Sequence, residues 1–454
     1  MAPPKPPQSR FSHSGHPALP QSAHPNRDAP DKSPTGSPPH RPGPLAGIRV
    51  LDIATMIAAP LAGSILGDYG ADVVKVELPG TGDTVRKLGE QRDGVGLYWK
   101  TLSRNKRSVA LDLRRPAGQE LFLRWLPQFD VLIENFRPGT LDRWNLSEAR
   151  LREVNPSLVI LRVTGFGQTG PYSTRQGFGT LAETMSGVAS VLVRDMRGFP
   201  KDRPALTSFP LGDVSAAMMA VNGTLAALVQ RERTGRGETV DLAIYESLLK
   251  FMEIELLQHD ETAPPSPSFV EERYADSAPR GMYRCKNDEW MALSGSAQPV
   301  AERILTLVGG EELARDPRFA NNALRVRNIA ALDAIIQDWC AQYSREEAIA
   351  RMSAAGCAAG PVETVRTLLS NPQVLAREAV VTVPDPDLGP LRMTGVIPRF
   401  GGHERQPPRP GPTMVGADTA AVLAADLALS AAELAALAAQ GAIDLPPDPR
   451  KAAP

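Results

Sequence analysis

Short, nearly continuous apolar runs at 48–53, 71–77, 130–134, 158–163 and 239–244 have the length and β-branched content of strands buried on both faces. Helical spacing fills the intervals. One helix is opened by Pro60 and closed by Gly70, a second runs over 116–127, and a third over 214–231 puts Met218, Val221, Leu225 and Leu228 on one face. A further helix follows at 245–258. Strand, helix and strand within 48–77 make a βαβ unit, which implies a parallel sheet with right-handed crossovers. The run Ala-Pro-Pro-Ser-Pro-Ser at 263–268 breaks the pattern and reads as a linker. A smaller unit then begins at 281–285, with a strand at 290–293 and helices near 298–308 and 328–342. Ser344 and Glu347 form a capping box for a helix that Gly356 ends, and Ser430 with Glu433 caps a last amphipathic helix stopping at Gly441.

At 454 residues the chain is too long for one compact core, so two domains are expected. A net charge of -1 and a pI near 6.6 give no field for gathering nucleic acid or an anionic membrane surface. No apolar run reads as long enough to span a bilayer. Cys285, Cys340 and Cys357 follow no metal or disulfide spacing and fit a reduced cytoplasm. Past the first forty residues the histidines are His259 and His403, in unlike contexts, which speaks against a His-based triad or a His-rich metal site. The proline- and histidine-rich stretch 1–44 has too few apolar residues to offset its ordering entropy, and disorder is expected there. It has no apolar signal core, and its prolines spoil the amphipathic helix of a transit peptide.

Candidate chemistry narrows from there. Glu77 ends the second strand where a dinucleotide fold places its ribose-binding acid. The first strand–helix turn, Ala54 to Ala59, lacks the phosphate-binding glycines, however. The G-x-G-x-x-G string at 165–170 leads into Pro171-Tyr172 and more loop, with no helix N-terminus for a pyrophosphate. A nicotinamide site is not expected. Asn105, Lys106, Arg107, Arg114 and Arg115 concentrate positive charge, which suits either a solvated rim or a phosphate site. Asp213 follows the Gly212 turn at the expected N-cap of the 214–231 helix, where the dipole stabilises a carboxylate by about 0.3–1 kcal/mol. An ionised carboxylate at such a lip can serve as a nucleophile, but spacing alone fits a plain helix cap better.

An ordered set of phrases carries a resemblance. It comprises Gly70-Ala71-Asp72-Val73-Val74-Lys75-Val76-Glu77, Asn105-Lys106-Arg107-Ser108, Leu111-Asp112-Leu113-Arg114 and Glu134-Asn135-Phe136-Arg137-Pro138-Gly139. Further along come Gly165 to Tyr172, Leu211-Gly212-Asp213, Arg233 to Gly237 and Gly360-Pro361-Val362. From Leu45 to about Ile443 the chain resembles class III coenzyme A transferases of the CaiB/BaiF type, such as formyl-CoA and carnitine CoA transferases. That resemblance implies an α/β fold: a Rossmann-like large domain with a parallel sheet, a smaller α+β domain, and two subunits interlocked as a homodimer. The expected parts are a tail at 1–44, the large domain at 45–262, a linker at 263–280, the small domain at 281–390, and a segment at 391–454 returning to the large domain. It makes Asp213 the acyl-carrying nucleophile. Coenzyme A, as a thioester substrate, is expected against Met56, Ile57, Ala58, Leu111, Arg114, Asn135, Phe136 and Arg143, with Asn105, Lys106 and Arg107 near its phosphates. No metal and no nicotinamide are expected, and the partners are an acyl-CoA and an organic acid.

The implied chemistry moves coenzyme A from an acyl-CoA donor, with succinyl-CoA in view, to a free acid through an aspartyl anhydride and an aspartyl-CoA thioester. Two departures bear on it. Many relatives carry an acid where this chain has Gly179, and the racemase branch has a His-Asp pair where it has Phe178 and Gly179. A racemase needs a proton carrier on each face of the substrate, which these residues do not supply. Glu183, one helical turn on, is expected to be an ordinary surface or helix-start residue rather than a replacement. The glycine-rich lid of the formyl-CoA transferase branch is also missing, Ser294-Gly295-Ser296 being the nearest small-residue loop. The alternatives kept open are an acyl-CoA racemase or epimerase of the same fold, and a non-catalytic CoA-binding subunit needing a paralogous partner. Arg175, Arg203 and Arg280 are loop arginines able to pair with a second carboxylate on the acceptor, or simply to be solvated.

Overall fold

A computed structural model of the chain describes residues 43–192, 204–259, 262, 277–401, 403 and 406–445. The expected tail, up to residue 42, and all but the last few residues of the expected linker lie outside the described residues.

Strands β1 (Arg49–Asp52), β2 (Asp72–Glu77), β3 (Lys106–Ala110), β4 (Val131–Glu134), β5 (Val159–Thr164) and β6 (Thr239–Ala243) form one parallel sheet in the order β3-β2-β1-β4-β5-β6. Leu51 at the centre pairs with Val74 on one side and Leu132 on the other. The chain doubles back between β1 and β4, so the sheet has a topological switch point there, where doubly wound folds bind ligands at the strands' carboxyl ends. Successive strand residues serve opposite faces. Val50, Val73 and Val131 pack into one core with helices α1 (Ala58–Asp68) and α4 (Leu211–Thr234), while Leu51, Val74 and Leu132 pack into a second with α2 (Pro116–Trp125).

That second core also takes Val422 and Leu423 from a helix at Thr419–Leu427 and Leu434 from another at Ala431–Ala439. Asp426 accepts from Arg49 Nη2 at 2.6 Å and from Trp125 Nε1 at 2.8 Å, so the C-terminal segment packs on the sheet layer. A third core lies wholly within 278–357, around a three-stranded antiparallel sheet (Arg280–Arg284, Trp290–Ser294, Ala358–Pro361) and helices that include Gln298–Ala314 and Ile329–Cys340. Both expected capping boxes are present: Ser344 with Glu347, and Ser430 with Glu433.

Four expectations need correction. Strand β3 occupies residues expected to be a charged rim. Lys106 is buried, its Nζ bound to the buried Asp52 Oδ2 at 2.8 Å, and Arg107 is paired to the half-buried Asp72 at 2.6 Å, so acids of the neighbouring strands absorb the charge. The 245–258 helix is two, α5 (Ile244–Leu249) and α6 (Glu253–Gln258), because Met252 turns into the core between them. On α4 the buried face is Ala216, Ala217, Ala220, Val221, Ala227 and Leu228, while Met218 is exposed. Finally, the 24-residue α4 is long and apolar enough to cross a membrane by length and composition. Its buried apolar residues pack against α1 and the sheet, as in the core helix of a globular domain.

Candidate active site

The switch point is open. A cleft of about 770 Å³, counting its mouth, is lined by Thr55, Met56, Ile57 and Ala58 after β1 and by Asn135, Arg137 and Pro138 after β4. Thr164 and Gly165 at the end of β5, the 173–178 loop, Ile244 and Asp213 complete the wall.

Asp213 is the third residue of α4, with Pro210 at the N-cap, so the expected N-cap position is off by three residues. It lies in the first turn all the same, where the helix dipole favours its anion. Two influences oppose that anion. Burial is the larger and the negative charge of Glu183 the smaller, and together they push the carboxyl up to about 6 from its ordinary 3.8. The expectation of an undisturbed, dipole-stabilised carboxylate therefore gives way to a strained one, still mostly ionised at neutral pH.

The carboxylate rests on bare backbone. Gly179 opens α3 (Gly179–Met185), and a Cβ built there would stand 2.3 Å from Asp213 Oδ2. Any side chain at 179 would therefore have to move the Asp213 carboxylate from this position. Glu183, one turn along α3, is not the surface residue expected. It is buried, and its carboxylate accepts from Thr207 Oγ1 at 3.0 Å and from the Gly212 amide at 3.3 Å. It fastens the 207–212 turn, and with it the start of α4, to α3.

The opposite wall is held by a buried charge network. Asp52, Lys75, Asp83 and Lys106 are almost wholly inaccessible, with Lys75 Nζ 3.1 Å from Asp83 and 3.6 Å from Asp52. The acids then reach upward: Asp52 accepts the Ala54 amide at 3.0 Å and Asp83 the Met56 amide at 3.1 Å. Lys75 donates to the Ala54 carbonyl and Lys106 to that of Pro60. Burial alone would raise Asp52, but Lys106 and Lys75 outweigh it and hold the carboxyl below its usual range. Asn135 completes the clamp by accepting the Thr55 amide at 2.9 Å and donating to the Thr55 carbonyl at 2.7 Å. Under that grip Met56 sits at φ 70°, a left-handed conformation costly for a residue with a Cβ. Glu77, at the ribose position of dinucleotide folds, is occupied by Arg86 (2.7 Å) and Ser108 (2.6 Å). The 165–170 string is a loop folded back so that Gly165 meets the Gly177 backbone, with the Gln168 amide tied to Asp241.

Of the expected ligand residues, the cleft brings together Met56, Ile57, Ala58, Asn135 and Asp213. The others are not among the residues lining it. Leu111 is buried and bridged to Ile443, and Asn105 is turned to Asp68 at 2.7 Å. Lys106 and Arg107 are consumed as described. Arg114 is engaged by Asp112 at 2.8 Å through both Nε and Nη2, although its side chain is half exposed. Phe136 stacks edge-on with Trp144, and Arg143 bonds Thr140 at 2.9 Å. Sequence reasoning missed Thr55, Arg137, Ser173, Gln176 and the placement of Glu183. Asn135 and Arg137 sit within one quoted phrase, so the signal for Arg137 was present; Glu183 gave none. Of the three loop arginines, Arg175 borders the cleft, Arg280 is in a small-unit strand, and Arg203 is outside the described residues. No cluster of three His, Cys, Asp or Glu suited to a metal occurs among the described residues.

A doubly wound sheet with a carboxylate poised over a cleft at its switch point defines the class: an α/β protein with a candidate acyl-carrying aspartate. The family model of CoA-transferase family III matches residues 45–419, and the chain belongs to that family and is a CoA transferase. It is 40% identical over 364 residues to succinyl-CoA–D-citramalate CoA-transferase of Chloroflexus aurantiacus, covering 79% of this chain and 88% of that protein. With the formyl-CoA:oxalate CoA-transferase of Streptomyces avermitilis it shares 32% over 369 residues, covering 77% and 88%. Among solved structures, a CAIB/BAIF family protein from Brucella suis superposes with a TM-score of 0.70 at 31% identity, over 85% of this chain and 99% of that one.

Proposed function

We propose that Asp213 carries the acyl group and then coenzyme A in transfer from succinyl-CoA to a second organic acid. The observation behind this reading is the carboxylate itself: part-buried in the cleft, raised to about 6, and seated against Gly179 with no side chain between them. Burial leaves the anion poorly solvated and therefore reactive, and at neutral pH most of it is ionised.

An Asp213 oxygen attacks the thioester carbonyl, the C–S bond breaks, and the products are an aspartyl–succinyl anhydride and CoA thiolate. The thiolate attacks the aspartyl carbonyl, forming aspartyl-CoA and releasing succinate. An acceptor carboxylate attacks that thioester, giving a second anhydride and thiolate again. The thiolate then takes the acceptor's acyl carbon and frees Asp213 as carboxylate. No net proton is consumed. The first turn of α1 opens at Ala58 on the cleft wall, and the amides of Ala58 and Ala59, ahead of Pro60, have no acceptor within the helix and suit the transient oxyanions. Two copies are expected to work as a homodimer in the cytoplasm; Leu257, Phe251 and Ile254, exposed around α6, are surface suited to such pairing.

The test incubates the pure protein with succinyl-CoA and a panel of organic acids and identifies new thioesters by mass. A new acyl-CoA with release of succinate is expected. Production of free CoA alone, or exchange of the α-hydrogen without any acceptor acid, would overturn the reading.

A further inference from the structure

Asp213 is the sole acidic residue among those lining the cleft, and the same wall carries two guanidinium groups, Arg137 and Arg175. Both are exposed, and neither has an acidic partner among the described residues. Their backbones are fixed. Arg137 lies in the turn before Pro138 and Gly139, closed by the Thr140 amide on the Arg137 carbonyl at 3.0 Å. Arg175 stacks over the ring of Tyr172 at 3.7 Å, and Tyr172 in turn stands edge-on to Phe166. A stacked guanidinium keeps its edge donors free for a planar anion.

Resting on the transfer reading above, we propose that Arg137 and Arg175 form the subsite for the far carboxylate of a dicarboxylic acyl group. Once the near carboxyl is joined to Asp213, the second carboxyl of a short diacid is only a few bonds away and must itself lie in this cleft. The phosphates of coenzyme A are held off from the reacting carbonyl by the whole pantetheine arm. A carboxylate brought into the cleft without a cation would remain unpaired, so a diacid and a monoacid of the same length are told apart here. Donor and acceptor pass through the same position in turn, so the subsite selects both.

The experiment measures kcat/KM for two substrate pairs, succinyl-CoA with a second short diacid and butyryl-CoA with a short monoacid. Wild type, Arg137→Lys, Arg175→Lys, Arg137→Ala and Arg175→Ala are compared, with succinate and butyrate tested as competitors of the wild type. The diacid-to-monoacid ratio is expected to fall at least tenfold in each alanine variant and less in the lysine variants. Succinate is expected to compete better than butyrate. Equal losses with both pairs would assign the arginines to coenzyme A phosphates and overturn the proposal, as would an unchanged ratio. A wild type that transfers CoA between monoacids and ignores diacids would sink the subsite and leave the transferase reading standing; no transfer in either pair would sink both.

Discussion

Asp213→Asn removes one negative charge while nearly keeping the shape of the side chain, and the structure fixes what that charge costs. The folded carboxyl titrates at about 6, against 3.8 ordinarily, a difference of about 2 pH units. At about 1.4 kcal/mol per unit, the folded state loses roughly 3 kcal/mol of stability above pH 6 by holding this anion. The sign follows from the raised value: the favourable contribution of the protonated group is complete below 3.8 and is lost as pH rises through about 6. Asparagine escapes that loss. The variant is therefore expected to be inactive yet more stable than the wild type by about 2–3 kcal/mol at pH 8, with the advantage shrinking to well under about 1 kcal/mol at pH 4. Urea unfolding at fixed protein concentration across pH 4–8 reads the difference. A variant no more stable at pH 8 than at pH 4, relative to wild type, would refute the reasoning.

Glu183→Gln keeps the length of the side chain and one oxygen to accept from Thr207, but removes a negative charge beside Asp213 and the second acceptor that holds the Gly212 amide. The acid limb of the kcat/KM profile, expected near pH 6 in the wild type, should move toward lower pH, and an unmoved limb would count against the coupling. Gly179→Ala puts a methyl 2.3 Å from Asp213 Oδ2, so the carboxylate must shift by about 1 Å and turnover should fall by roughly 100-fold with the fold retained. Full activity in that variant would show that Asp213 does not work from this position. Asp52→Asn leaves Lys106 and Lys75 short of a buried counter-charge and should cost about 3–5 kcal/mol in unfolding experiments; a change below about 1 kcal/mol would show that the network does not hold the turn.

Much of this architecture was legible because the sheet strands are short apolar runs set between helical periods. Strand β3 was not. Its first residues, Lys106 and Arg107, look solvated in sequence, and only the fold brings Asp52 and Asp72 beneath them. The same long-range pairing hid the network behind the Met56 turn, whose members come from separate segments at 52, 75, 83 and 106. Asp213 was found from local cues, a glycine turn ahead of a long apolar helix. Its raised titration was not, since burial and the approach of Glu183 are properties of packing. Gly179 read as a departure from the family pattern, and becomes intelligible once the Asp213 carboxylate is seen against its Cα. Leu111 and Arg143, carried over from the resemblance, are not among the residues lining the cleft.

The central claim is that Asp213 becomes covalently acylated during turnover. Quenching the enzyme with borohydride or hydroxylamine in the presence of succinyl-CoA, followed by peptide mass mapping, addresses it directly. The account predicts reduction or hydroxamate formation at Asp213, absent without the thioester. Transfer proceeding with Asp213 unmodified, or the label appearing on another carboxylate, would contradict it.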